Sequence, residues 1–508
     1  MNCAKRPVKV DKVYISGEIN KIQVGMCQIK LSETDINQHD YSNTSKANSP
    51  VTIYDTSGPY SDPQYTPDIE KGICRIREEW HERKKHFQIV EPVNETFFPS
   101  KHPIYKAKNE KRITQRYYAK KRIITPEMEY VAIRENQHIE ALGLKSYITP
   151  DFVRKEIASG HAIIPANINH PEVEPMIIGK RFLVKTNTNL FPSEQPIEDQ
   201  IKQMVTYCQY GSDTLIDLST SSDCHQRREW IIRNCPIPVG TSPIYQALAR
   251  AEYQPENLSW ELFRDTLVEQ AEQGVDFMAI HGAIRKSHLH LVENRLINLV
   301  SQSAIILTQW MKAHKEENFL HTHFGEICEI LNAYDVTISL GSGFRPGSIY
   351  DANDHAQFAE LSEMRELVKA AWDQSIQIMS EGPGHVPLNK LEANIKEHKY
   401  HCKNIPFFTL GITTTDIAGV NDYIASAIGS ALIAWQGASL ISGCDIKEYE
   451  NIPTEEKIKQ GIIAQKIAAH SADLAKGHPG AQVRDNAFSR AQQEGRINDL
   501  HCLLMYSE

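Results

Sequence analysis

The chain has 508 residues, 41% hydrophobic and 23% charged, a globular balance with too much length for one ordinary domain. Its 55 Lys and Arg against 64 Asp and Glu leave a net charge of −9, which excludes the basic composition of a general nucleic-acid binder. Ten cysteines are scattered without a C-x-x-C pair, which excludes a dense disulfide framework and predicts a reducing, cytoplasmic setting. The amino-terminal residues, MNCAKRPVKVDKVYISGEI, lack the apolar run of a signal peptide. The most apolar stretch, 424–441, is broken by Ser426, Gly429, Ser430, Gln436, Gly437 and Ser439, so it reads as a buried helix and strand and not as a membrane span.

Residues 32–50 are polar and turn-rich and read as a loop or mobile segment. Residues 105–122 carry eight Lys and Arg; the interleaved apolar residues favour a solvated face over a phosphate-binding patch. Thr125-Pro126-Glu127 opens a helix, with Thr to cap, Pro tolerated at the first position and Glu at the positive end of the dipole. Residues 1–158 are expected to form an amino-terminal α/β domain.

From His161 short apolar runs alternate with helical patterns. Ten strand candidates stand at 162–168, 181–187, 214–220, 239–244, 277–282, 304–309, 336–342, 376–382, 406–411 and 431–437. The amphipathic run 257–274 has Asn257 or Ser259 as cap and ends at Gly274. Strand–helix alternation over this span predicts an α/β fold with a central (β/α)8 barrel over 159–452. Ten strands are two too many, so one or two must be barrel-floor or loop pieces. Residues 453–508 read as a short, truncated helical region, with Ile458, Ile462, Ile463, Ile467 and Ala468 as its apolar stripe.

Polar residues gather at the carboxyl ends of these strands, the active-site face of a barrel. They are Asn167, Asn169, Asn187, Asp217, Ser219, Thr220, Tyr245, His281, Ser342, Arg345, Glu381, His385, Thr415 and Asp416. Glu381-Gly382-Pro383-Gly384-His385 places a carboxylate and an imidazole across a tight turn, suited to acid–base work or metal binding; a capping Glu beside a surface His fits the string equally well. Gly341 to Ser348 is a Gly-rich loop with one fixed cation, Arg345, whose amides and guanidinium suit an anion. Gly477-His478-Pro479-Gly480 is a second such turn, read as the end of a helix.

Longer strings carry a resemblance. They are IYDTSGPY (53–60), IITPEMEYVAIREN (123–136), AIIPANINHPEVEPMIIG (162–179), REWIIRNCPIPVGTSPIYQAL (228–248), FRDTLVEQAEQGVDFMAIH (263–281), FRPGSIYDANDHAQFAEL (344–361), EGPGHVP (381–387) and IAAHSADLAKGHPGAQVRDNA (467–487). Spanning nearly the whole chain in order, the sequence resembles the phosphomethylpyrimidine synthases of thiamine biosynthesis. The resemblance implies a (β/α)8 barrel, a homodimer, and conversion of aminoimidazole ribotide to hydroxymethylpyrimidine phosphate by radical S-adenosylmethionine chemistry with a 4Fe–4S cluster and zinc. It implies a small-molecule, imidazole ribotide-like partner and neither nucleic acid nor membrane. Ligand positions carried over unchanged are Asn187, Tyr245, His281, Gly343, Arg345 and Glu381, and the first metal histidine is His385.

Other family positions differ. A Met is Ile216, a Ser-Arg-Gly loop is Ser301-Gln302-Ser303, Asp-Gly-Leu-Arg is Ser342-Gly343-Phe344-Arg345, and a Tyr is Phe408. The second metal histidine aligns with Tyr449, a poorer zinc ligand. Where the family carries Cys-x2-Cys-x4-Cys, this chain has the single Cys502, and one thiolate does not hold a 4Fe–4S cluster. These departures predict impaired or altered independent activity. Three readings stand: a thiamine-branch enzyme whose cluster comes from a partner chain, a non-catalytic binding or regulatory paralog, and an altered enzyme without radical chemistry.

Overall fold

The computed structural model describes residues 10–35, 45–80, 85–109, 111–192, 194–443 and 454–504. Positions 36–44 of the polar loop, and Tyr449, lie outside the described residues.

Eight parallel strands close a barrel: β1 (Lys185–Leu190), β2 (Thr214–Asp217), β3 (Val239–Thr241), β4 (Phe277–Ile280), β5 (Thr337–Leu340), β6 (Ile378–His385), β7 (Phe407–Thr413) and β8 (Leu440–Ser442). The ring closes where Lys185 pairs with Leu440 and Asn187 with Ser442. Partners in register point to the same side of a sheet, so Ile216, Phe277, Met379, Phe408 and Leu440 meet inside the barrel as one buried cluster. Ile163, Met176 and Ile178 join that cluster. They come from a short antiparallel pair, Ala162–Ile163 with Ile178–Gly179, that plugs the amino end. Backbone amides of the plug bond side chains just ahead of two strands, Ile164 to Gln377 and Asn167 to Asp276. The helices pack outside, and the largest apolar cluster fills the layer between them and the strands.

Seven of the ten expected strands are barrel strands. The candidate at 162–168 is the floor piece, two residues of strand long. The candidates at 304–309 and 431–437 are helical instead, within Gln302–His314 and Asp422–Gln436. AIILTQ and ALIAWQG are short apolar runs, and such runs do not separate a buried strand from a buried helix. The eighth strand is the three residues Leu440–Ser442, directly after the second of these helices.

Helix boundaries follow local chemistry. Ser259 Oγ accepts from Leu262 N at 3.2 Å, and the helix Trp260–Gln273 ends at Gly274. Thr125 Oγ1 accepts from Met128 N at 3.3 Å at the head of Pro126–Glu135. Thr454 caps Glu455–Ala475, which packs along Asp422–Gln436. Of its expected stripe, Ile458, Ile462 and Ala468 are buried, whereas Ile467 is exposed. An antiparallel sheet of Val10–Ser16, Gln23–Ile29 and Val51–Tyr54 shares a small core with the last helices through Ile29, Val51, Ala491, Cys502 and Leu503. No helix among the described residues is long and apolar enough to cross a membrane.

Candidate functional site on the carboxyl-end face of the barrel

The amino end is plugged, and the sequence candidates stand at the opposite rim, the face where (β/α)8 barrels carry their sites. A cavity of about 940 Å3 lies on the amino side among Tyr54, His138, Asp213 and the helix Glu455–Ala475. It is not where the candidate residues gather.

Inside β6, Glu381 follows Met379 on the same face and pairs in register with Phe408 of β7. Ser339 Oγ of β5 donates to Glu381 Oε1 at 2.7 Å, anchoring the buried carboxylate to the next strand. The tight turn expected within EGPGH is instead part of β6, which runs through to His385 with a register shift between Pro383 and His385. Gly384 sits at φ +81°, and a Cβ there would lie 2.6 Å from Pro346 O, so the strand presses directly on the Arg345 loop.

His281, just past β4, lies flat on the Gly341 backbone: a Cβ on Gly341 would stand 2.5 Å from its ring. The ring is buried, and Nδ1 has no hydrogen-bond partner. Burial, reinforced by the Arg345 charge, pushes its pKa down to about 3, so it is a neutral imidazole at physiological pH. Arg345 is half-buried; Nη1 donates to Ser342 O at 2.9 Å, and the guanidinium has no carboxylate within ion-pair distance among the described residues. The rim therefore carries a cation and, within reach of its charge, a neutral imidazole.

Two amides of the Gly-rich loop, those of Gly343 and Phe344, are turned to a carboxylate of the chain itself and not to the rim. Gly343 N and Phe344 N donate to Glu360 at 2.7 and 2.9 Å, behind the loop. Phe344 is fully buried in the core between helices and strands, and a Cβ on Gly343 would strike Ile284, so both residues face away from the rim. Arg345 is the loop's cationic contribution.

Asn187 and Asn189 share the inner face of β1. Thr214 Oγ1 donates to Asn187 Oδ1 at 2.9 Å, and Asn187 Nδ2 donates to Asn189 Oδ1 at 3.1 Å. Ile216 and Phe408 lie in the barrel-floor cluster. Tyr245 sits on the helix Pro243–Arg250, partly buried against the core. Ser301 caps the helix Gln302–His314 through Ala304 N, Gln302 is exposed, and Ser303 Oγ is 3.5 Å from Ser242 Oγ. The contacts thus link His281 with Gly341, Arg345 with Ser342, and Glu381 with β5 and β7. Ser301 to Ser303 stand on a separate connecting helix.

His385 Nδ1 bonds Asp416 Oδ1 at 2.8 Å, and Asp416 is itself fixed by Ser348 Oγ and Ile349 N. A carboxylate on one ring nitrogen is how an imidazole ligand is oriented toward a metal. Sequence reading placed Asp416 at this rim but gave no signal that it pairs with His385. Among the described residues, however, no group of three His, Cys, Asp or Glu side chains is placed to hold a metal ion. Of the eight described cysteines, seven are buried single thiols and Cys74 is exposed. Neither the zinc nor the 4Fe–4S cluster of the resemblance finds a fitting donor set there, and no step is derived through them.

A profile of the radical SAM ThiC family matches residues 114–508, and the ThiC-associated domain matches residues 8–88. The chain belongs to the radical SAM ThiC family. This is the phosphomethylpyrimidine synthase family of thiamine pyrimidine biosynthesis. Among solved structures, a dihydropteroate synthase from Stenotrophomonas maltophilia is 11% identical over 56% of this chain and 94% of its own, with a TM-score of 0.33. One from Anaplasma phagocytophilum is 15% identical over 56% and 98%, with a TM-score of 0.33.

Proposed function

We propose that this ThiC-family chain binds an imidazole ribotide or a close relative on the carboxyl-end face of the barrel, in the pyrimidine branch of thiamine biosynthesis. The observation that carries the reading is a neutral His281 that feels the charge of Arg345, with both residues packed on the 341–345 loop. A guanidinium without a carboxylate partner recognises a phosphate or carboxylate. A neutral imidazole adds a donor and an acceptor without a second charge. Glu381 accepts from ring or amino N–H groups. The family reaction, aminoimidazole ribotide to hydroxymethylpyrimidine phosphate, uses a cluster-bound S-adenosylmethionine; on this reading a partner chain supplies the cluster if the reaction proceeds. The expected assembly is a homodimer, supported by a half-exposed apolar row, Ile424, Ile428 and Trp435, on one face of Asp422–Gln436.

A second reading, a regulatory paralog that keeps the scaffold, is favoured by one observation. Where the family has Ser-Arg-Gly, Ser301 is spent on a helix cap and Gln302 is exposed and uncharged. Isothermal calorimetry with aminoimidazole ribotide, its riboside and the pyrimidine phosphate separates the two. Ribotide binding weakened by Arg345→Ala supports the ligand-binding reading. No heat with any of the three from a folded protein supports the scaffold.

A further inference from the structure

Glu360, on the helix His355–Asp373, is fully enclosed and is none of the candidate site positions read from the sequence. Its two carboxylate oxygens take two consecutive amides, Gly343 N on Oε1 at 2.7 Å and Phe344 N on Oε2 at 2.9 Å. Those residues stand immediately before Arg345. The same helix end makes two further contacts. Asp354 forms a two-pronged pair with Arg295 at 2.7 Å, and Arg295 Nη2 also donates to Phe344 O at 2.8 Å. Gln357 Nε2 donates to Pro383 O at 3.2 Å. Asp354, Gln357 and Glu360, spaced by three, share one helix face. That face grips both the Arg345 loop and the Glu381–His385 strand.

We propose that Glu360 is a positioning residue: by holding the Gly343 and Phe344 amides it fixes Arg345 at the barrel rim and so sets ligand affinity without touching the ligand. The inference rests on the ligand-binding reading above. The geometry demands a carboxylate. Two parallel N–H donors need two acceptor atoms, and an amide side chain offers one oxygen and one NH2 that opposes the second donor. A protonated carboxyl offers the same poor match. The charged groups around Glu360 are Arg295, Arg345 and the buried Cys402 thiol, which is pushed up to about 12 and stays neutral. Burial raises Glu360 to about 7 against the pull of the two amides and the two arginines. The brace therefore tightens as pH rises from 6 to 8.

The test uses the full chain, with aminoimidazole ribotide as probe, in calorimetry from pH 6 to 8, together with amide hydrogen exchange of the peptide spanning 341–347. Glu360→Gln should weaken binding at pH 8 by roughly tenfold, one charge-assisted hydrogen bond's worth. It should also flatten the pH profile relative to the unaltered protein. The ribotide phosphate titrates near pH 6, so the variant's own profile is the reference. Exchange at 341–347 should quicken in Glu360→Gln, and less so in Glu360→Asp, which keeps both oxygens. If the unaltered protein fails to bind ribotide but exchange still quickens only in this loop, the positioning role stands and the ligand reading falls. Unchanged exchange, or a pH profile in Glu360→Gln that parallels the unaltered protein, overturns the proposal.

Discussion

Gly341→Ala puts the packing of the site to a quantitative test. Gly341 has an ordinary backbone conformation, so alanine brings no torsional penalty and the whole effect is steric. The added Cβ would lie 2.5 Å from His281 Cε1 and Nδ1 and 2.6 Å from Cδ2. Carbon atoms rest at about 3.5–4.0 Å, so the ring must retreat by about 1 Å. His281 is 4% exposed and cannot swing into solvent without vacating the site. Overpacking a closed interior costs about 1–3 kcal/mol. Urea denaturation should therefore show Gly341→Ala destabilised by that amount, and calorimetry should show ligand affinity reduced with it. Gly325→Ala is the control: it sits in the helix Phe324–Asn332 with nothing within 4 Å of a Cβ, so it should be neutral or stabilising by up to about 1 kcal/mol. A Gly341→Ala protein as stable as its parent, with unchanged affinity, would refute the placement of His281 on this backbone.

Acid should weaken the fold by a predictable amount. His281, His398 and His138 are buried and depressed from 6.5 to about 3, so the stability they confer as neutral rings is lost as pH falls below 6.5. At pH 5 each costs roughly 2 kcal/mol. Glu360, raised from 4.5 to about 7, acts in the opposite sense and returns about 2–3 kcal/mol between pH 7 and 5. These four groups together then contribute a loss of about 3–4 kcal/mol in urea titrations, and Glu360→Gln should deepen their share to about 6; a flat profile contradicts the burial of these groups. Trp435→Glu, on the exposed apolar row, should convert a dimer to monomers in sedimentation without lowering the thermal midpoint, and an unchanged mass would place the interface elsewhere.

Strand–helix alternation made the barrel legible because seven strands lie in or next to short apolar or β-branched runs between helical patterns. It failed at the closing strand, Leu440–Ser442, which follows so closely on the apolar helix Asp422–Gln436 that the two read as one apolar stretch. It also failed at 304–309, an apolar run too short to show the helical period, and at 431–437, where the helix is apolar on buried and exposed faces alike and shows no polar stripe. For the candidate site, the positions came from motif strings, and the strings named Arg345, His281 and Glu381 directly. What they could not convey was direction. Gly343 and Phe344 stand directly before Arg345, yet their amides point backward to Glu360, which lies in the run 344–361 but carries no mark there of the loop it holds. Likewise His385 and Asp416 are 31 residues apart and meet only because β6 and β7 are adjacent. Long-range pairings of this kind leave no trace in local spacing.

The most direct measurement of the central claim is calorimetric titration of the full chain with aminoimidazole ribotide, beside Arg345→Ala and Glu381→Gln. The account predicts saturable binding, weakened about tenfold or more by either substitution, with the riboside binding less tightly than the ribotide because it lacks the anion for Arg345. Ribotide and riboside binding equally, or ribotide affinity unaffected by Arg345→Ala, would contradict it.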